Sequence, residues 1–194
     1  MTEETELSQR ARNLFSELMD RSELQLDLAY TALLFNDRDL AEDVMELHQK
    51  LENVYIDFEE TTLKLAKVVQ TPEKLWSLVR TGDHVKDIID AASTISDVVL
   101  RGLPTHPVIR SIFDSSSETV RRVKIEPGSQ LDGKTLGEVK LQELSGMRVI
   151  CIKRGEEWVC GPTSATAIKG GDILYVRGPS EGEQIIRNLA ISSI

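Results

Sequence analysis

Gly128, Gly133, Lys134 and Thr135 fit the pattern G-x-x-x-x-G-K-[ST] letter for letter. In a nucleotide-hydrolysing site that pattern works because glycine-rich backbone amides wrap the phosphates while the hydroxyl holds magnesium, between a buried strand and a long helix. The stretch ahead of it, VRRVKIE, carries Arg121, Arg122 and Lys124 and reads as half exposed, and the helix behind it would meet Gly137 at once. Pro127 removes an amide just ahead of Gly128, and the 59 residues after Thr135 are too few for the remaining parallel strands. Asp172 begins its strand, whereas a magnesium-holding Asp would end one. The match fails its context. Two cysteines, Cys151 and Cys160, stand nine apart without the paired spacing of a zinc site or the density of a disulfide scaffold, and read as reduced strand residues. The three histidines lie far apart and no Ser/His/Asp or Cys/His constellation is visible, so an enzyme is not expected.

Composition narrows the partners. Lys plus Arg total 23 against 32 for Asp plus Glu, a formal net charge of -9, which leaves no basic surface for nucleic acid or anionic lipid. No apolar run approaches the roughly 20 residues that span a bilayer. The opening MTEETELSQR is acidic where a secretory signal would be basic and then greasy. The expectation is a cytoplasmic chain without membrane insertion.

The elements fall into two grammars. From residue 5 to about 113, apolar residues recur at three and four spacing: Leu7, Ala11, Leu14, Leu18, Leu24, Leu28 and Ala32, then Leu40, Val44, Leu47, Leu51, Val54, Phe58, Leu65 and Val69, then Leu75, Leu78, Val79, Val85, Ile88, Ala92, Ile95 and Val99. Asp39 with Glu42 predicts a capping box for the second helix, and Thr71 with Pro72 a cap for the third. Short connections predict an antiparallel three-helix bundle. A short apolar turn through Val108, Ile109, Ile112 and Phe113 leads to a serine run, which puts the boundary between a helical domain, 1–115, and a small α+β domain, 118–194. Strands are expected at VRRVKIE, MRVICIKR, EWVC and DILYVRG, with a closing helix after a capping box at Ser180 and Glu183. A core of under 80 residues often shares burial with a copy of itself, so a homodimer through 118–194 is expected.

The series VKIEPGSQLDGKTLGEVKL, GMRVICIKRG, Pro162 and IKGGDILYVRG resembles, in order and spacing, the TrkA C-terminal (RCK_C) domain of potassium-transport regulators. The resemblance implies turns at Gly128 and Gly133, one short helix in KTLGEV and a surface Lys134. It also implies a dimer cleft for cyclic di-AMP or another small ligand, with Leu141, Gln142, Met147, Arg148, Val149 and Pro162 at the corresponding positions, and Gln142 where an Arg is usual. No G-x-G-x-x-G occurs, so NAD is not expected.

TGDHVKDIIDAAS, residues 81–93, is similar to the G-D-H-x-x-N-I-x-E segment of PhoU, and NDRDLAEDV to the start of its second helix; one three-helix repeat of the usual two is covered. PhoU proteins bind metal clusters through acids four apart on one helical face. The resemblance implies a metal set of Asp83 and Asp87, with Asp90 a turn on and Glu59 facing them. Val79 and Tyr55 stand where further acids are usual, and the competing reading is a solvated carboxylate face with His84 at the surface. Together the two resemblances imply a regulatory subunit of a cation transport system, potassium first, partnered by a membrane transporter or channel. The alternative is a metal-binding regulator of phosphate uptake.

Overall fold

The computed structural model describes residues 2–103 and 119–192. They belong to two compact units, Met1–Thr105 and His106–Ile194. The fold is α+β: a helical unit, then a four-stranded antiparallel sheet with short helices. The expected turn through Val108 to Phe113 lies outside the described residues.

The first unit is three helices, α1 (Glu3–Phe35), α2 (Arg38–Ala66) and α3 (Trp76–Leu100). Asn36, left-handed at φ 50°, reverses the chain within two residues of α1, and Asp37 then caps α2 by accepting from the Leu40 amide at 3.1 Å. The capping box expected at Asp39 and Glu42 does not form, because the cap falls two residues earlier. Glu42 instead pairs with Arg38 one turn back at 3.0 Å. Thr71 makes no side-chain cap bond either. Pro72 opens a short 3-10 turn, Pro72–Leu75, and the long helix starts only at Trp76. Ala11, Leu18, Leu28, Leu47, Leu51, Phe58 and Ile89 fill the bundle core. In α3 the run Val85, Ile89, Ala92, Ser96, Val99 forms the buried stripe. That phase places Ile88 about 100° round the helix, and it is 41 % exposed, contrary to its expected core position. Gly82 lets α3 close on α2: a Cβ there would strike the Phe58 ring.

The second unit orders its strands β1-β4-β2-β3, with β1 at Thr119–Lys124, β2 at Arg148–Arg154, β3 at Glu157–Cys160 and β4 at Ile173–Gly178. All three pairings are antiparallel. Short helices α4 (Leu136–Val139) and α5 (Leu141–Ser145) precede β2, and α6 (Gly182–Ala190) follows β4. Val123, Ile152, Leu174 and Val176 from the strands pack with Leu141, Met147, Ile168 and Ile186 into one core. The register shifts between Val149 and Cys151, so β2 carries one more residue than β4 has places for, a β-bulge. Alternation turns Cys151, Trp158 and Tyr175 to the other face, where the two rings stack at 5.2 Å.

The capping box expected at Ser180 and Glu183 is absent. The helix begins at Gly182, and the Glu183 carboxylate is drawn to Arg121 at 2.6 Å and Arg187 at 2.7 Å. A capping box does form where none was expected, at Thr135 and Glu138 of α4. Among the described residues no helix is long and apolar enough to cross a membrane.

Candidate functional site

Around the phosphate-motif look-alike the backbone amides are already engaged. Gly128 and Gly133 take φ of 78° and 80°, turns that favour glycine. The Gly128 amide donates to Asp132 Oδ2 at 2.8 Å, the Gly170 amide to Asp132 Oδ1 at 2.7 Å, and the Gly133 amide to the Ile168 carbonyl at 3.0 Å. The Gly128 and Gly170 bonds hold the Asp132 carboxyl below the usual carboxylate range. An internal carboxylate thus occupies the place an incoming phosphate would need. Thr135 caps a four-residue helix, and Lys134 is exposed.

In the bundle, the acids singled out from the sequence go to different partners. Asp83 Oδ1 accepts from the Tyr55 hydroxyl at 3.0 Å. Burial, that bond and the neighbouring Glu59 carboxylate push the Tyr55 phenol well above its ordinary value. Asp87 is 79 % exposed and faces His84 at 3.4 Å. Asp90 lies across the helix pair with His48 and Glu52 of α2, their ligand atoms all within 4.8 Å of one another. Lys86 reaches into that group, 2.6 Å from Glu52 and 2.5 Å from Asp90. Burial pulls the Lys86 ammonium down, but bonds to Asp90 and Glu52 outweigh it and leave its pKa raised. His48 and Glu52 were not singled out from the sequence. Their i, i+4 spacing was the available signal.

In the sheet unit, Leu141 and Met147 lie in the core, 3 % and 0 % exposed, while Gln142 and Arg148 are exposed and Val149 and Pro162 half-buried. Arg148 opens β2 directly opposite Arg177 of β4. Like charges opposed across a ladder repel, and an anion between them relieves that repulsion. Arg177 escaped the sequence reading because opposition depends on strand pairing. The turn into β4 is anchored by Arg154, which grips the buried Asp172 with Nε to Oδ1 at 2.8 Å and Nη2 to Oδ2 at 2.7 Å and also donates to the Ala167 carbonyl.

With that geometry in view, residues 120–190 match the TrkA-C domain family and residues 15–98 the PhoU domain family. The chain carries a PhoU domain and a TrkA-C domain. The chain is 36 % identical over 82 residues to an uncharacterized transporter of Synechocystis, a match covering 41 % of this chain and 13 % of that one. It is 39 % identical over 54 residues to the Ktr system potassium uptake protein A of Vibrio alginolyticus, covering 28 % of this chain and 24 % of that one. The matches thus span only 13 % and 24 % of these two relatives' lengths. Among solved structures, the RCK_C domain dimer of S. agalactiae BusR in complex with c-di-AMP is 17 % identical with a TM-score of 0.35, covering 36 % of this chain and 92 % of that one. The KtrA RCK C domain in complex with cyclic diadenosine monophosphate is 22 % identical with a TM-score of 0.34, covering 47 % of this chain and 95 % of that one.

Proposed function

We propose that the chain is a cytoplasmic regulatory subunit of a cation transport system, with potassium the first candidate ion, that senses a small anionic ligand through a dimer of its TrkA-C domain and engages the transporter through its helical domain. The observation that carries this reading is the TrkA-C match over residues 120–190, joined to the identity with a potassium uptake protein. The opposition of Arg148 and Arg177 favours a ligand bearing phosphates, and cyclic di-AMP is the first candidate. In this reading Gln142, Val149 and Pro162 line the ligand, and Leu141 and Met147 set the backbone beneath it. The metal-binding alternative, through Glu59, Asp83, Asp87 and Asp90, is disfavoured because Lys86 already supplies a cation beside Asp90. No enzymatic step is invoked.

The test is thermal denaturation of the full chain with cyclic di-AMP. A ligand at one hundred times its Kd stabilises the native state by about 2.7 kcal/mol. The expected result is a raised midpoint that Arg148→Ala abolishes without lowering the midpoint of the unliganded protein. No response in the wild type, or an undiminished response in Arg148→Ala, would overturn the ligand assignment.

A further inference from the structure

We propose that Cys151 and Cys160 form a reversible cross-strand disulfide. The two residues are register partners in the β2–β3 ladder, so their side chains leave the same face of the sheet. The Gly161 amide donates to the Ile150 carbonyl at 3.1 Å, which makes 150 and 161 hydrogen-bonding neighbours. Cys151 and Cys160 therefore sit at a non-hydrogen-bonded position, where facing Cα atoms are about 4.5 Å apart and side chains are closest. A disulfide accepts Cα separations of about 4.4–6.8 Å, so the bond requires side-chain rotation and no rearrangement of the strands.

The two thiols differ in access. Cys151, in the second strand from the edge, is fully buried, while Cys160, on the edge strand β3, is half-buried. An oxidant thus meets Cys160 first. With a low-molecular-weight disulfide RSSR, the Cys160 thiolate attacks one sulfur, forms a mixed disulfide and expels one RS⁻. The Cys151 thiolate then attacks Cys160 Sγ and expels the second. Two protein thiols are oxidised, one RSSR is reduced to two RSH, and the two thiol protons go to the leaving thiolates. The bond would close only a short stretch of chain, so it constrains the unfolded state less than a bridge between distant segments would.

The position gives the switch a target. Arg148 and Val149 lie just ahead of Cys151, and Pro162 just beyond Cys160, so the bond would tie together the two segments that carry the proposed ligand groups. That consequence rests on the ligand reading; the thiol chemistry does not.

The experiment is incubation of the full chain with oxidised glutathione, then intact mass measurement and alkylation of remaining thiols under denaturing conditions. The expected wild-type product is a single chain lighter by two hydrogens, with neither cysteine alkylated, restored by dithiothreitol. Cys151→Ser is expected to stop at glutathione bound to Cys160. A wild-type product that keeps glutathione on Cys160 with Cys151 alkylatable, a disulfide between chains, or two unmodified thiols would each overturn the proposal.

Discussion

At the scale of single residues, two carboxylates hold the turns of the sheet domain for different reasons. Asp132 is hydrated and works by accepting two backbone amides, from Gly128 and Gly170. Because its folded pKa is depressed, its contribution to stability is fully present above the ordinary carboxylate range and is lost as pH falls through the depressed value. Asp132→Asn is therefore expected to melt lower than wild type at neutral pH, with the gap shrinking in acid, as melting curves taken across the acid range would show. A gap independent of pH would sink the account. Asp172 works from the other extreme, with its side chain 1 % exposed and held by Arg154. Arg154→Met strands that buried charge and is expected to cost about 3–5 kcal/mol in urea unfolding. A cost under about 1 kcal/mol, the range of an exposed pair, would show the grip to be ornamental.

At the scale of elements, helix contacts decide the outcome of small substitutions. Gly82→Ala gains about 1 kcal/mol of helix propensity, yet the added methyl meets Phe58, whose ring already lies 5.7 Å from Phe15. Overpacking costs of about 1–3 kcal/mol outweigh the gain, so the variant is expected to be less stable by denaturant titration; a more stable variant would mean that α2 and α3 can part. Lys86 offers a second test, since it is the cation shared by Glu52 on α2 and Asp90 on α3. Lys86→Met leaves those acids and His48 to find another positive charge, and zinc suits such a set. Calorimetry is expected to show zinc binding at least about tenfold tighter in the variant than in wild type, a difference of about 1.4 kcal/mol. Equal affinities would rule out Lys86 as the internal substitute. The three helices and four strands were legible because a buried face repeats at a fixed period along the chain. The caps were not: Asp37 and Asp39 offer the same side chain, and the left-handed Asn36 chooses between them. Ile88 and Ile89 are likewise adjacent and chemically equal, and the face that α3 turns to the other two helices, the stripe of Val85, Ile89, Ala92, Ser96 and Val99, selects Ile89 for the core. The grouping of His48 with Asp90, and of Arg148 with Arg177, needs the register of one element against another, which no local pattern carries.

At the scale of the whole molecule, charge sets the terms of self-association. Each chain carries a formal -9, so the proposed dimer joins two bodies that repel at a distance. Salt shortens that repulsion, from a Debye length of about 30 Å at 0.01 M to about 8 Å at 0.15 M. Sedimentation equilibrium on the full chain is expected to show a dimer whose dissociation constant falls as salt rises. A monomer at every salt concentration would remove the dimer from the proposed function, while a dimer that salt dissolves would mean that ion pairs hold it.

The extra residue of β2 changes how the gene tolerates damage. Losing one codon in the middle of a strand normally inverts every side chain on one side of the cut, because odd and even positions trade faces. Here Val149 answers Val176 and Cys151 answers Tyr175, with Ile150 the supernumerary residue between them. Toward β4, deleting Ile150 leaves each remaining residue opposite its present partner and converts a kinked ladder into a plain one, at the cost of the bond that the Gly161 amide donates to the Ile150 carbonyl on the β3 side. The sheet is thus one in-frame deletion away from strict alternation, at a place where most strands could not survive it.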